Sequence, residues 1–264
     1  MPRVSAKLKH IAFVSDRYTL QARYYEAAFG MRNAADPRPE RALTVSDGYV
    51  SLEIHPRKPG RPAGFDHFGL EVDDVLAVVA RLRDKYPAVQ VVKRPGTPPF
   101  AGISTHDPAG NVFDLSQPDG ETRVDASHPR RISHLALRTL HAGAVAEFYA
   151  EVFGLKYEKH EDANLYLSDG SVTLVIIPWR ISDYEGTGIV RPGPDHVGFQ
   201  VESLAALKER LQKLGDDNPQ LRAQPLTGRE GEARLRLFAA CCPLGEYRLA
   251  DVDGVLLDVA ETKR

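Results

Sequence analysis

The sequence predicts an α+β chain made of four copies of one βαβββ unit, and three observations carry that reading. Four histidine-led segments recur along the 264 residues: KHIAFVSD (9–16), DHFGLEVDD (66–74), SHLALRT (133–139) and DHVGFQVES (195–203). Their apolar residues alternate with the period of two that marks a strand. A stretch of helical period follows each of them, and each unit then closes on strands turned by Asp-Gly or by a glycine-bearing turn.

The helices agree in detail. In the third unit Val145, Phe148, Tyr149, Val152 and Phe153 fall on one helix face, and Gly154 follows as a stop. Tyr24, Tyr25, Ala28 and Phe29 hold matching offsets in the first unit, before Gly30. The second unit offers Val75, Leu76, Val79 and Leu82 with Asp73 as N-cap; the fourth offers Leu204, Leu207, Leu211 and Leu214, ending at Gly215. Hairpins come next in ALTVSDGYVSLEIHP (42–56) and NLYLSDGSVTLVIIP (164–178). A turn and last strand appear in DPAGNVFDLSQ (107–117) and DVDGVLLDVAE (251–261). Units one and three match, and so do two and four, so the chain reads as a duplicated pair. The expected division is residues 1–118 (modules 8–58 and 64–118), a polar linker at 119–130, and 131–264 (modules 131–181 and 194–262). The stretch 215–233 has no counterpart in unit two and reads as an inserted loop.

Composition narrows the class. Hydrophobic residues make up 42% and charged residues 27%, which is globular. A net charge of −2, with Lys and Arg dispersed, gives no footprint for nucleic acid or an acidic membrane. No stretch approaches the about 20 apolar residues of a membrane span. The N-terminal segment lacks the apolar core of a signal peptide. Cys241 and Cys242, the only cysteines, are adjacent and cannot staple distant segments; a strand position is expected for them. A soluble cytoplasmic protein acting on a small molecule, as monomer or homo-oligomer, is the expectation.

The chemistry sits on the repeat. His10 and His67 lie on the first strands of units one and two, with Asp114 on the last strand of unit two; His134, His196 and Asp258 are their equivalents. Asp114 and Asp258 each stand four residues after a glycine, Gly110 and Gly254. Two neutral imidazoles and a carboxylate can occupy one face of a divalent metal and leave up to three positions for substrate, water or O₂. That is the donor set of non-haem Fe(II) oxygenases, so Fe(II) is the first expectation, with Mn²⁺, Ni²⁺, Co²⁺ and Zn²⁺ also suited.

On these motifs, with the FYAEVFGL helix end (148–155) and DPAGNVFDLSQ, nearly the whole chain resembles the vicinal oxygen chelate superfamily. That group includes glyoxalase I, bleomycin-resistance proteins, extradiol dioxygenases and fosfomycin-resistance enzymes. The resemblance implies module pairs wrapped into two half-open barrels. It implies metal ligands at His134, His196 and Asp258, and likewise at His10, His67 and Asp114, with Asp where the family more often has Glu. Four modules in one chain resemble the extradiol dioxygenases, which implies ring cleavage of a catechol-like aromatic at the second pair. Those enzymes use further histidines as acid/base groups, whereas this chain has none after His196; Tyr247, one residue off the family tyrosine position, is the partial substitute. Glyoxalase I-like lyases and isomerases use four ligands. Only the first pair has a candidate fourth, Glu53, because Val175 stands at the matching place in unit three. A resistance-type binding protein is the third expectation.

Other candidates are weaker. His106, beside the DPAGN turn, is a candidate proton carrier, and His55 shares a strand face with Glu53. Trp179, Arg180 and Tyr184 precede the Gly/Pro-rich run 185–195, a candidate substrate-pocket lining in which Arg180 or Arg191 would meet an anion. His128, His141 and His160 read as surface residues.

Overall fold

The computed structural model describes residues 4–34, 42–94, 102–118, 131–184, 186–189, 191–242 and 244–262. The expected linker 119–130, with His128, lies outside them. Two sheets carry the fold. The first contains β1 (Ala6–Ser15), β2 (Arg32–Ala34), β3 (Leu43–Ser46), β4 (Ser51–Pro56), β5 (Gly64–Val72), β6 (Val91–Lys93), β7 (Ile103–His106) and β8 (Val112–Ser116), in the order β2-β3-β4-β1-β5-β8-β7-β6. The second contains β9 (Ile132–Thr139), β10 (Lys156–Glu158), β11 (Leu165–Ser168), β12 (Thr173–Pro178), β13 (Gly193–Val201), β14 (Tyr247–Ala250) and β15 (Leu256–Glu261), in the order β10-β11-β12-β9-β13-β15-β14. In each sheet the histidine-led strands pair antiparallel at the centre, β1 with β5 and β9 with β13. The α+β class and the repeated modules are as the sequence predicts.

Alternation assigns each face. Ile11, Phe13, Phe68, Leu70, Phe113 and Leu115 of the first sheet join Leu135, Leu137, Val197, Phe199, Leu257 and Val259 of the second in one shared core. The helices α1 (Tyr18–Phe29), α2 (Val75–Lys85), α3 (Ala142–Phe153) and α5 (Leu204–Asp217) cover that side, and α1 and α3 each reach the sheet of the other half. Phe29 stacks on Phe199 at 4.2 Å between ring centroids, and Phe153 meets Phe113 edge-on at 5.5 Å. The intervening residues, including both histidine–aspartate sets, occupy the opposite faces.

Four turn aspartates bind the halves together. Asp47 accepts from Tyr49 N and Val50 N in its own hairpin, and from Arg131 N and Ile132 N of the other half. Asp169 accepts from Ser171 N and Val172 N, and from Leu8 N across the interface. Asp107 holds its turn through Ala109 N and Asn111 N and receives the Tyr149 hydroxyl of α3 at 3.4 Å. Asp251 holds its turn through Asp253 N and Val255 N and receives Gln21 at 2.6 Å and the Tyr25 hydroxyl at 2.8 Å from α1. Hydrogen bonding is how such carboxylates, three buried and Asp169 half-buried, and turn amides offset their desolvation.

Several expectations are corrected. The N-cap of α2 is Asp74, whose side chain accepts from Ala77 N, rather than Asp73. Helix α5 runs through Gly215 to Asp217, because Asn218 caps it. The stretch expected as a loop holds a 3-10 turn, Pro219–Leu221, and the start of a 14-residue helix, α6 (Gly228–Cys241). Only Phe238 of α6 is buried, so an apolar stripe that would announce a helix is missing. Cys241 ends this helix and Cys242 caps it, so neither lies in a strand. Between Pro178 and Gly193 a short helix, α4 (Ile181–Tyr184), replaces part of the expected connection. No helix among the described residues is long and apolar enough to cross a membrane.

Asp251→Ala strips an acceptor from two turn amides, Gln21 and Tyr25. The expected loss is about 2–5 kcal/mol of stability, with a smaller loss for Asp251→Asn, which keeps one carbonyl acceptor. Urea midpoints of the two variants check it; unchanged midpoints in both would disprove the clamp.

Candidate functional site

Bulges decide how the second histidine of each half is held. Strand pairing runs Ala12↔His67 and then Phe13↔Phe65, leaving Asp66 over; it runs Ala136↔His196 and Leu137↔Pro194, leaving Asp195 over. An extra residue breaks the alternation and sets the carboxylate beside the next side chain. Asp66 Oδ2 therefore lies 2.7 Å from His67 Nδ1, and Asp195 Oδ2 lies 2.6 Å from His196 Nδ1. Each carboxylate is itself anchored: Asp66 by Arg61 at 2.6 and 2.7 Å, Asp195 by Arg138 Nε at 2.6 Å and Arg234 Nη2 at 2.5 Å. With Nδ1 engaged, Nε2 of each ring faces its cluster, the arrangement that orients metal-bound histidines. Sequence reasoning missed Asp66 and Asp195; the signal was the Asp-His pair shared by units two and four.

The structure brings together His10, His67 and Asp114 in one cluster, and His134, His196 and Asp258 with Cys242 in the other; within each, one ligand atom per residue lies within 4.8 Å of the rest. All seven side chains are buried. In the first cluster His67 Nε2 pairs with Asp114 Oδ2 at 3.2 Å, as an ion pair whose alignment falls short of a hydrogen bond. Ser104 Oγ donates to Asp114 Oδ1 at 2.5 Å. Glu53 reaches the same space: β4 pairs with β1 as Ala12↔Glu53, which puts Glu53 on the face of His10. Its carboxylate lies 3.6 Å from His10 Nε2 and 3.3 Å from His55 Nε2.

The second cluster differs in its fourth corner. Where the first has Glu53, Val175 pairs with Ala136, and Val175, Ile177 and Tyr166 form an apolar floor with Cys241 and Leu244 packed against it. Cys242 Sγ lies 3.9 Å from both His134 Nε2 and Asp258 Oδ2, which are 3.5 Å apart. The Phe238 ring of α6 sits 4.4 Å from the His196 ring. Two glycines make room: a Cβ on Gly198 would fall inside the His134 ring, and one on Gly245 would collide with the Asp258 carboxylate. His196 Nε2, wholly buried, has no hydrogen-bond partner.

The electrostatics suits a cation at each cluster. Burial pushes His10 down to about 3, and burial likewise lowers His196, so both are neutral donors at neutral pH. Burial also raises Glu53 and the Cys242 thiol and pushes His55 down to about 4. His67 is the exception: burial opposes its charge, but the Asp114 and Asp66 carboxylates overcome this and raise it to about 9. Buried imidazole nitrogens beside buried carboxylates form a donor set that fits a divalent first-row metal in both clusters, with the His67 proton displaced as metal binds.

The remaining candidates sit elsewhere. Tyr247 pairs with Val259 while Arg248 pairs with Asp258, so Tyr247 lies on the helix-covered face with Lys208 over its ring, away from the cluster. Both ring nitrogens of His106 engage backbone, Gln90 N and Asp107 O. His141 and His160 are exposed. A cavity of about 690 Å³ is lined by Arg138, Asp195, Arg234, Asp66 and Arg191 among others, so it abuts the outer carboxylates of the histidines rather than the ligand atoms. Trp179 and Arg180 are not part of that lining, and Tyr184 closes α4.

Residues 7–115 and 131–259 match the family model of the Glyoxalase/Bleomycin resistance protein/Dioxygenase superfamily. No curated protein matches the chain. Among solved structures, the Mn(II)-bound glyoxalase from Novosphingobium aromaticivorans is similar with TM-score 0.64 at 14% identity, over 99% of this chain and 83% of its own. A catechol 2,3-dioxygenase gives 0.65 at 12%, over 100% and 90%. A xylose isomerase-like TIM barrel/4-hydroxyphenylpyruvate dioxygenase fusion protein gives 0.60 at 15%, over 86% of this chain but 41% of its own length. At such identities the likeness is one of fold.

In the metal-free protein His67 is expected to titrate near pH 9 by NMR. Its folded value lies above the ordinary one, so its charge stabilises the fold fully below about pH 6.5, and that stabilisation is lost as pH rises through about 9. Adding metal at the first cluster abolishes the titration. A His67 that titrates near 6.5 without metal would contradict the pairing with Asp66 and Asp114.

Proposed function

The chain belongs to the Glyoxalase/Bleomycin resistance protein/Dioxygenase superfamily, and on that premise we propose that it is a metal-dependent lyase or isomerase of the glyoxalase or epimerase kind, reacting at the first-half cluster. The observation that carries this is Glu53. It stands between His10 and His55, 3.6 and 3.3 Å away, on the metal-facing side of β4. His10, His67 and Asp114 would hold the metal, which when bound supplies Lewis-acid polarisation of a substrate carbonyl. Glu53 would be a fourth ligand or the base for a proton next to that carbonyl. Burial raises its pKa toward working pH, which favours proton transfer by a carboxylate. His55, half-buried and neutral, stands 3.3 Å from Glu53 Oε1 and orients that carboxylate. Arg94 and Ser104 hold the Asp114 carboxylate in place, Arg94 Nη1 at 3.4 Å and Ser104 Oγ at 2.5 Å.

A second reading is an extradiol-type dioxygenase acting on a catechol-like aromatic. The His134–His196–Asp258 set and the fold likeness to catechol 2,3-dioxygenase support it. Against it, Cys242 occupies the corner that substrate and O₂ would need, and Phe238 covers His196.

The two readings separate on oxygen. Protein loaded anaerobically with Mn²⁺, Ni²⁺, Co²⁺, Zn²⁺ or Fe(II) is expected to exchange deuterium from solvent into the carbon next to a substrate carbonyl, with no O₂ consumed. Glu53→Gln is expected to lower turnover about 10²–10⁴-fold while metal content stays, as for loss of a general base. Turnover that requires O₂ would reject the lyase or isomerase reading in favour of the dioxygenase.

A further inference from the structure

We propose that Cys242 is the fourth ligand of a closed metal centre, with His134, His196 and Asp258, that fastens the inserted helix α6 onto the second sheet rather than presenting a metal to substrate. The inference goes beyond the reaction proposed for the first half and does not depend on it.

The spacing is that of ligands around one ion. Metal–nitrogen and –oxygen bonds of about 2.0–2.1 Å and a metal–sulfur bond of about 2.3 Å in a tetrahedron put donor atoms about 3.3–3.4 Å apart, or about 3.6 Å where one is sulfur. His134 Nε2 and Asp258 Oδ2 are 3.5 Å apart, and Cys242 Sγ stands 3.9 Å from each. The fourth donor, His196 Nε2, is completely buried and unpartnered, with its ring fixed from behind by Asp195. An imidazole nitrogen sealed from water with nothing to accept from is costly, and an ion removes that cost.

Hydrogen bonds fix the end of α6 that carries the thiol. Arg248 Nη2 donates to Cys242 O and to Gly245 O, both at 2.8 Å, which ties the end of α6 back to β14. Gly245 N donates to Asp258 Oδ2 at 2.7 Å, an approach that the absent Cβ permits. Arg234, also on α6, pairs with Asp195, so the helix supports His196 as well as supplying the sulfur.

Charge and access agree. A thiolate and a carboxylate balance a divalent ion, giving a neutral centre suited to complete burial. As the metal–sulfur bond forms, the thiol proton passes to solvent, and no electrons are exchanged. Four protein donors complete the tetrahedron of a structural site, whereas catalytic sites keep a position open. Phe238, Ala250, Leu256, Leu226 and Leu244 close around Cys242. Thiolate with imidazole selects Zn²⁺, or Co²⁺ and Fe²⁺ in its place.

Cysteines occur only at 241 and 242, so a thiolate–metal signal arises at one of these two. The full chain titrated with Co²⁺ is expected to take up two ions. One should show a sulfur-to-cobalt charge-transfer band in the near ultraviolet and a sulfur neighbour at about 2.3 Å by X-ray absorption. His67→Ala and Cys241→Ser keep the band; Cys242→Ser loses it, together with the rise in thermal midpoint that the metal confers. If Cys242→Ser does not fold, X-ray absorption of the Zn²⁺-loaded wild type decides. Uptake with no sulfur neighbour at any bound ion, or a band lost in Cys241→Ser instead, would overturn the assignment.

Discussion

The structure depends on four aspartates at hairpin turns. Each spends one oxygen on its own turn and the other on the opposite half: Asp47 and Asp169 on the edge of the partner's first strand, Asp107 and Asp251 on the partner's helix through Tyr149 and Tyr25. The pattern is reciprocal, so neither half satisfies its buried polar groups alone. Helices α1 and α3 follow the same rule, each covering aromatic residues of the other sheet. The main core cluster runs through both of the expected module pairs.

From that frame the two clusters inherit equal backbones. His10 and His67 rings stand 5.5 Å apart, His134 and His196 rings 5.4 Å. The bulged aspartates behind His67 and His196 are likewise equivalent. What differs is the surroundings: Glu53, His55 and Arg94 approach the first cluster, while Val175, Ile177 and α6 crowd the second. One geometry thus serves a polar, proton-competent environment and an apolar, sealed one.

Most of the fold and six of the seven cluster residues were legible in the sequence. Strands with one face in the core print their alternation directly, which is why His10, His67, Asp114 and their counterparts fell on a common face. The bulges were not legible, because one surplus residue in a strand looks like continued alternation, and so Asp66 and Asp195 went unnoticed. Helix α6 was hidden for another reason. GREGEARLRLFAAC buries only Phe238, so its place is set by contacts with the sheet and not by any stripe of its own. Cys242 was invisible as a ligand for the same cause: its position depends on where that helix ends. Tyr247 shows the reverse error, since an offset of one residue in a strand sends a side chain to the other face.

The reciprocal ties between the halves resemble those by which two identical subunits would hold each other across a two-fold axis. In a homodimer every substitution appears twice, so a change that seals one site seals both. Joining the copies in one polypeptide removes that coupling. Val175 and α6 could arise in one half while Glu53 persisted in the other, with the shared core left intact. Fusion thereby permits a division of labour between two sites that symmetry would have forced to remain the same.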